Sequence, residues 1–237
     1  MVKQSWLQHH RSMVVVTAAL ITVAVVFAAS PAAASSEDAA KAQEVVDSAV
    51  TTVNNFSADP DMGWFRDNVK NAKGILVVPS LLKAGFVFGG SGGTGTLLGK
   101  DEKTGKWSYP AFFTMGSATF GFAAGVEKSE VILMIMTQKG MDSMLSSSFK
   151  LGGDVSVAVG PVGAGAKAQT ADVIAFSRAK GVYGGVNLEG AVIKTRDSLN
   201  SAYYGKPTRT VDIVVQHSVQ NENADKLIAK VANVASK

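Results

Sequence analysis

Cysteine is absent from all 237 residues. The chain therefore has no disulfides, no thiol nucleophile and no thiolate metal site. Histidine is almost as scarce: of three, His9 and His10 lie at the extreme N-terminus, and only His217 lies further on. A zinc site built on two histidines is excluded from the main body. Charge of one sign is also missing. The formal balance is +4, with 23 basic and 19 acidic side chains, too even for a nucleic-acid footprint. Beyond Ala29 there is no second long apolar run of the kind that crosses a bilayer. These absences point away from most catalytic and metal-dependent classes and toward a binding role. A domain of about 200 residues can bury enough surface to stand without disulfides.

The N-terminus carries a different signal. Lys3 and Arg11 precede an uncharged, mostly apolar stretch from Met13 to Ala29, followed by Ser30, Pro31 and Ala32-Ala33-Ala34. A basic start, an apolar middle and small residues before the cut mark a secretory signal peptide. Pro31 is expected to interrupt any helix where a peptidase needs extended chain. Residues 1–34 are thus read as a signal peptide and residues 35–237 as one domain; an uncleaved anchor is the alternative. Removal of Lys3 and Arg11 lowers the charge to +2, because every acid lies beyond them. The expected location is exported: the periplasm or cell envelope of a bacterial-type cell, or the medium beyond it.

From Ser35 to Phe56 the pattern is helical, with Ser36 as cap and Ala42, Val45, Val46, Ala49, Val50 and Val53 on one stripe. A stripe of this kind fits packing on a sheet or lying on a bilayer, and periodicity alone does not separate them. A short helix follows Asp59-Pro60 and ends near Lys73-Gly74. The period then shortens. Strands are predicted over 75–78, 84–88, 94–98, 106–109, 111–119, 130–137, 154–159, 172–177 and 186–194, separated by glycine or polar turns. Helices are predicted over 138–147, 197–204 and 221–236. The fold class implied is α+β: a curled, mostly antiparallel β-sheet, barrel-like or a sandwich, covered by N- and C-terminal helices in a single domain. Strand glycines Gly116, Gly121, Gly125, Gly184 and Gly185 suit strong bending.

Several motifs imitate catalytic sites. Gly90-Ser91-Gly92-Gly93-Thr94-Gly95 has the letters of a dinucleotide fingerprint, and Gly89 to Gly93 spells a nucleophile elbow with Asp197 and His217 in hydrolase order. Both mechanisms need a helix to start there, whereas Thr96-Leu97-Leu98 follows, so the run is read as a flexible turn. Gly163 to Ala168 fails in the same way. Asp154, Asp172 and Glu189 sit in apolar strand contexts that suit buried, paired carboxylates, structural at least as often as functional. No catalytic residue, metal site or cofactor is assigned. Aromatics from Trp64 to Phe113, with lysines between them, suit either a core or a headgroup zone.

A set of short motifs occurs in one order: Ala72-Lys73-Gly74-Ile75, Lys83-Ala84-Gly85-Phe86, Gly121-Phe122, Gly125-Val126-Glu127, the run Leu151 to Gly163, Ser177-Arg178-Ala179-Lys180-Gly181-Val182-Tyr183, Asn187 to Ala191, and Tyr203-Tyr204-Gly205. Together they strongly resemble the SYLF lipid-binding family, which includes the actin-binding domain of yeast Src-homology-3 proteins. The match runs from about Ser36 to Val215. The resemblance implies phospholipid binding through the N-terminal amphipathic region and nearby basic residues. Here these are Lys41, Val45, Val46, Val50, Val53, Lys70, Lys73 and Lys83. The partner implied is phospholipid or an anionic membrane surface, with no nucleic acid. Actin, which eukaryotic members bind, is not expected to meet an exported bacterial protein. A module of the envelope that binds protein rather than lipid is the alternative.

Overall fold

The computed structural model describes residues 31–85, 88–120, 125–162, 170–179, 182–183 and 188–236. Helix α1 (Pro31–Ala58) is followed by a 3-10 turn at Pro60–Met62, helix α2 (Gly63–Asn68) and a second 3-10 turn at Val69–Asn71. Then come strands β1 (Gly74–Gly85), β2 (Phe88–Gly99), β3 (Ala111–Phe120) and β4 (Gly125–Ile135), helix α3 (Gln138–Met144), and strands β5 (Ser148–Lys150), β6 (Val157–Val159), β7 (Val173–Ala179), β8 (Val182–Tyr183) and β9 (Val192–Thr195). Helices α4 (Asp197–Tyr204), α5 (Thr210–Val214) and α6 (Asp225–Ala235) follow.

All nine strands form one sheet, ordered β5-β9-β3-β2-β1-β4-β7-β6, with β8 paired to β7. Pairing is antiparallel except for β6 beside β7. The sheet has to curl. Eight flat strands would separate the β5 and β6 edges by about 34 Å, yet the seven steps from Lys150 to Val157 reach only about 25 Å. The connecting segment adds a bridge of its own between Leu151 and Val155. The expected α+β architecture, with helices covering a curled sheet in a single domain, is what the chain adopts.

Both faces of the curl are buried over most of the sheet. Ile75, Val77, Leu98, Phe112, Ile132, Met134, Ile174 and Phe176 pack outward against α1, α2, α4 and α6. Leu76, Val78, Leu97, Phe113, Met115, Val131, Leu133 and Ile135 pack inward with Met141, Met144, Ile193 and Ile213. Two-sided burial explains the unbroken apolar runs Ile75–Val78 and Val131–Ile135, which do not alternate as a half-exposed strand would.

The structure corrects several boundaries. The Gly89–Gly95 run is the interior of β2, not a turn, paired along its length with β3. The cause is close approach: a Cβ at Gly93 would stand 2.5 Å from the Ser80 carbonyl, and one at Gly95 2.6 Å from that of Val77. Likewise 75–78 and 84–88 are not two strands. Pro79-Ser80 forms a bulge inside β1, where a proline without an N–H is tolerated. Residues 106–109 make only the bridge from Trp107 to Lys100. Pro31 opens α1 instead of breaking it, which puts Ser36 inside the helix. Thr137 leaves the strand to cap α3, accepting from Gly140 N at 3.1 Å. Strands β5 and β8 and helix α5 were not foreseen. The motif residues Phe86, Gly121, Phe122, Gly163–Ala168, Lys180, Gly181 and Gly184–Asn187 lie outside the described residues.

Candidate functional site

Helix α1 is built into the core. Ala42, Val46, Ala49, Val53 and Phe56 are between 0 and 2 % exposed, because the small residues let the helix lie close on β1, β2, α4 and α6. Val45 and Val50 flank this stripe and are half-buried against it. Of the α1 residues expected to touch lipid, Val46 and Val53 therefore serve the core in this arrangement, and Lys41 is exposed; outside α1, Lys70 and Lys83 are exposed as well. The other lysines do not gather. Lys73 pairs with Glu102, and the Lys70 carbonyl accepts from Lys100 Nζ at 2.6 Å. Lys83 lies at the far end of β1, about 30 Å along the strand from Lys73.

A half-buried network fixes the side of α1 that faces β4. Glu130 accepts from Thr52 Oγ1 at 3.0 Å and from Asn55 Nδ2 at 2.9 Å. Its other oxygen lies 3.4 Å from the Arg178 guanidinium of β7. At the opposite flank Lys230 of α6 donates to Asn54 at 2.7 Å. Buried ion pairs contribute little net stability, but losing one partner costs several kcal/mol. The network therefore sets the position of α1 more than it stabilises the fold.

Among the described residues, nothing covers the outer face of the sheet beyond α1. Two rows of directly opposed residues cross four strands on the outer face: Val126, Ala84, Gly90 and Ala118, then Lys128, Leu82, Gly92 and Gly116. Val126 is 76 % exposed and Leu82 50 %. Antiparallel strands that meet water on one face normally alternate apolar with polar side chains. Here the solvent face is apolar and nearly flat, with Lys128 as the one charge in the two rows. A groove of about 780 Å³, lined by Ser48, Thr51, Asn55, Lys128 and Arg178, separates this face from α1. The helical and lysine pattern did not single out Leu82 or Val126. The available sign was the run of small residues in β2, which makes sense only as a strand lying beside others.

The catalytic look-alikes are not assembled. Ser91 lies within β2 and shares a hydrogen bond of 2.8 Å with Ser117. His217 faces Asp101 at 3.6 Å, beyond the other end of β2, about 26 Å of strand away. Asp172 is paired as expected. It accepts from Thr137 Oγ1 at 2.7 Å and from Ser156 N and Oγ at 2.9 and 2.8 Å, with Lys139 at 3.5 Å. These bonds, that from Thr137 first, lower its pKa to about 2. They tie β4, α3 and β6 together, a structural task. Asp154 is exposed and accepts from Lys150 N at 2.7 Å; Glu189 is exposed. Burial raises the pKa values of Tyr203 and Tyr204, whose rings stack edge-on in the core. Among the described residues no acidic or histidine group is arranged to hold a metal ion, and no helix is long and apolar enough to cross a membrane.

Comparison with known proteins gives a consistent picture. Residues 116–234 match the family model Ysc84, described as "Las17-binding protein actin regulator". The chain is 35 % identical over 173 residues to LAS seventeen-binding protein 3 of Saccharomyces cerevisiae, covering 70 % of this chain and 37 % of the relative. It is 34 % identical to Protein YSC84 of the same yeast, covering 70 % of this chain and 36 % of the relative. Similarity extends to the human SH3 domain-containing YSC84-like protein 1, at 28 % over 165 residues, 67 % of this chain and 48 % of the relative. The chain thus spans less than half the length of each of these proteins.

Proposed function

Because the chain belongs to the Ysc84 (SYLF) family, we propose that it is a non-catalytic phospholipid-binding protein acting on a membrane surface after export into a bacterial-type envelope. The basic, apolar and small-residue order of Met1–Ala34 supports export, and on that reading actin, which the description of the matched family names, is out of reach. The observation that carries the lipid reading is the uncovered apolar end of the sheet around Leu82 and Val126. Contiguous exposed apolar surface of this kind marks a contact with membrane or protein.

The contact works by shallow insertion. Leu82 and Val126 enter the headgroup boundary, each contributing about 1–2 kcal/mol as it leaves water. Lys128, in the same two rows, meets anionic headgroups, adding about 1 kcal/mol and losing most of it at high salt. The sum makes the binding reversible and dependent on lipid charge. Helix α1 stays docked, so its role is to frame the surface rather than to enter the bilayer.

Co-sedimentation of residues 35–237 with vesicles containing phosphatidylglycerol tests the proposal. The expected result is binding that Leu82→Glu with Val126→Glu reduces at least tenfold while the melting temperature holds, since neither side chain is part of the core. Undiminished binding by the double variant would remove this surface from the mechanism. No binding to any vesicle, with capture of an envelope protein instead, would favour a protein-interaction module.

A further inference from the structure

A second concave surface lies at the opposite end of the sheet. After β2 the chain makes a tight loop, with Asp101 Oδ1 accepting from Lys103 N, Thr104 N and Thr104 Oγ1 at 2.9, 2.7 and 2.9 Å. Gly105 takes a φ of +70°, and the chain returns to bridge Trp107 with Lys100. This local capping holds the loop rigid. Facing it, α6 turns Leu227, Val231 and Val234 into the core and leaves Ile228, Ala229 and Ala232 toward the loop. Because alanine is short, a groove of about 680 Å³ remains between α6 and Trp107. It adjoins a smaller hollow of about 230 Å³ that ends at His217, whose left-handed φ of 50° is an uncommon and strained conformation for a residue with a side chain.

The groove has a polar edge of defined charge. Lys100 Nζ sits 5.9 Å from the centre of the Trp107 ring and is held there by the Lys70 carbonyl. Lys106 is exposed beside it. The single acid lining the groove, Asp225, accepts from Tyr109 Oη at 3.3 Å. Two lysines against one carboxylate leave one net positive charge next to an apolar floor of Trp107, Ile228 and alanines. Sites for small ligands have this composition and fall in this size range, about 300–1,000 Å³.

We infer that the Trp107 groove binds one single-chain anionic amphiphile, a fatty acid anion, with its carboxylate at Lys100 and Lys106 and its chain along Ala229 and Ala232. The single net charge matches a monoanion better than a doubly charged phosphate monoester, and no arginine fork of the kind that favours phosphate lines the groove. The inference is independent of the membrane proposal, because the groove and the Leu82–Val126 face occupy opposite ends of the sheet.

The test is quenching of tryptophan fluorescence by brominated dodecanoate, kept below its micelle concentration, with the Trp6→Phe, Trp64→Phe form so that Trp107 alone reports. Saturable one-to-one quenching is expected. Ala232→Glu, which fills the groove with charge but leaves the core stripe of α6 intact, should weaken it at least tenfold. Lys106→Gln should weaken it several-fold, and brominated dodecanol should bind at least tenfold more weakly than the acid. Absence of saturable quenching, or equal quenching in Ala232→Glu, overturns the inference. So does equal binding of the alcohol. Ala232→Glu is expected to sediment with vesicles as the parent does, so failure here and failure of the membrane proposal are separate results.

Discussion

At the scale of single residues, glycines next to one another in β2 have opposite roles. A Cβ at Gly93 meets the Ser80 carbonyl at 2.5 Å and Val78 at 2.9 Å, whereas one at Gly92 meets nothing within 4 Å. Gly93→Ala should therefore cost about 1–3 kcal/mol through overpacking, while Gly92→Ala should be neutral or stabilise by up to about 1 kcal/mol through the unfolded chain. Thermal or denaturant unfolding of the pair checks this directly. Asp172 gives a pH dependence with a definite sign. Its folded pKa of about 2 lies below the ordinary 3.8, so it stabilises the fold fully above about pH 5 and loses that contribution as pH falls from about 4 to about 2. Asp172→Asn should lose about 2 kcal/mol at neutral pH, and its denaturation midpoint should converge on that of the parent near pH 2. The pairing of Asp172 could be foreseen from an acid placed among apolar strand residues. The glycine run could not be read correctly, because what decides between turn and strand at Gly93 is the backbone of a neighbouring strand, which no local pattern encodes.

Among the elements, α1 shows what periodicity can and cannot convey. The stripe Ala42, Val46, Ala49 and Val53 was legible as a helix face from spacing alone. Where that face goes depends on what the rest of the chain presents to it: here Phe65, Phe176 and Val231, contributed by residues far apart in sequence. The consequence is testable. Phe56 is fully buried and packs edge-on with Phe65, ring centres 6.2 Å apart. Phe56→Ala should cost about 3–5 kcal/mol in unfolding free energy. Deleting residues 35–56 should abolish cooperative unfolding altogether, so loss of vesicle binding in such a truncation says nothing about a direct contact. A freely detachable α1 would instead leave a cooperative, folded remainder. Strands β1 and β4 were partly recognised because their apolar runs are long. Strand β5 and helix α5, three and five residues long, are set by pairing and packing rather than by their own composition.

For the molecule as a whole, the curl produces two unlike ends. At one end the sheet outruns its helical cover and presents Leu82, Val126 and Lys128. At the other, α6 and the Asp101–Lys106 loop enclose the groove over Trp107. The predicted arrangement of curled sheet and flanking helices was legible because turns, strand lengths and helix stripes agreed with one another. The exposed end was not, since exposure is a property of what fails to pack there. Its membrane role leads to a direct experiment that the lack of cysteine makes clean. Single cysteines at Val126 and at Lys41, each carrying an environment-sensitive fluorophore, are compared on anionic vesicles with nitroxide-labelled lipid. A blue shift and strong quenching at Val126, with little of either at Lys41, is expected. Quenching at Lys41 while Val126 remains in water would mean that α1, not the open end of the sheet, meets the bilayer.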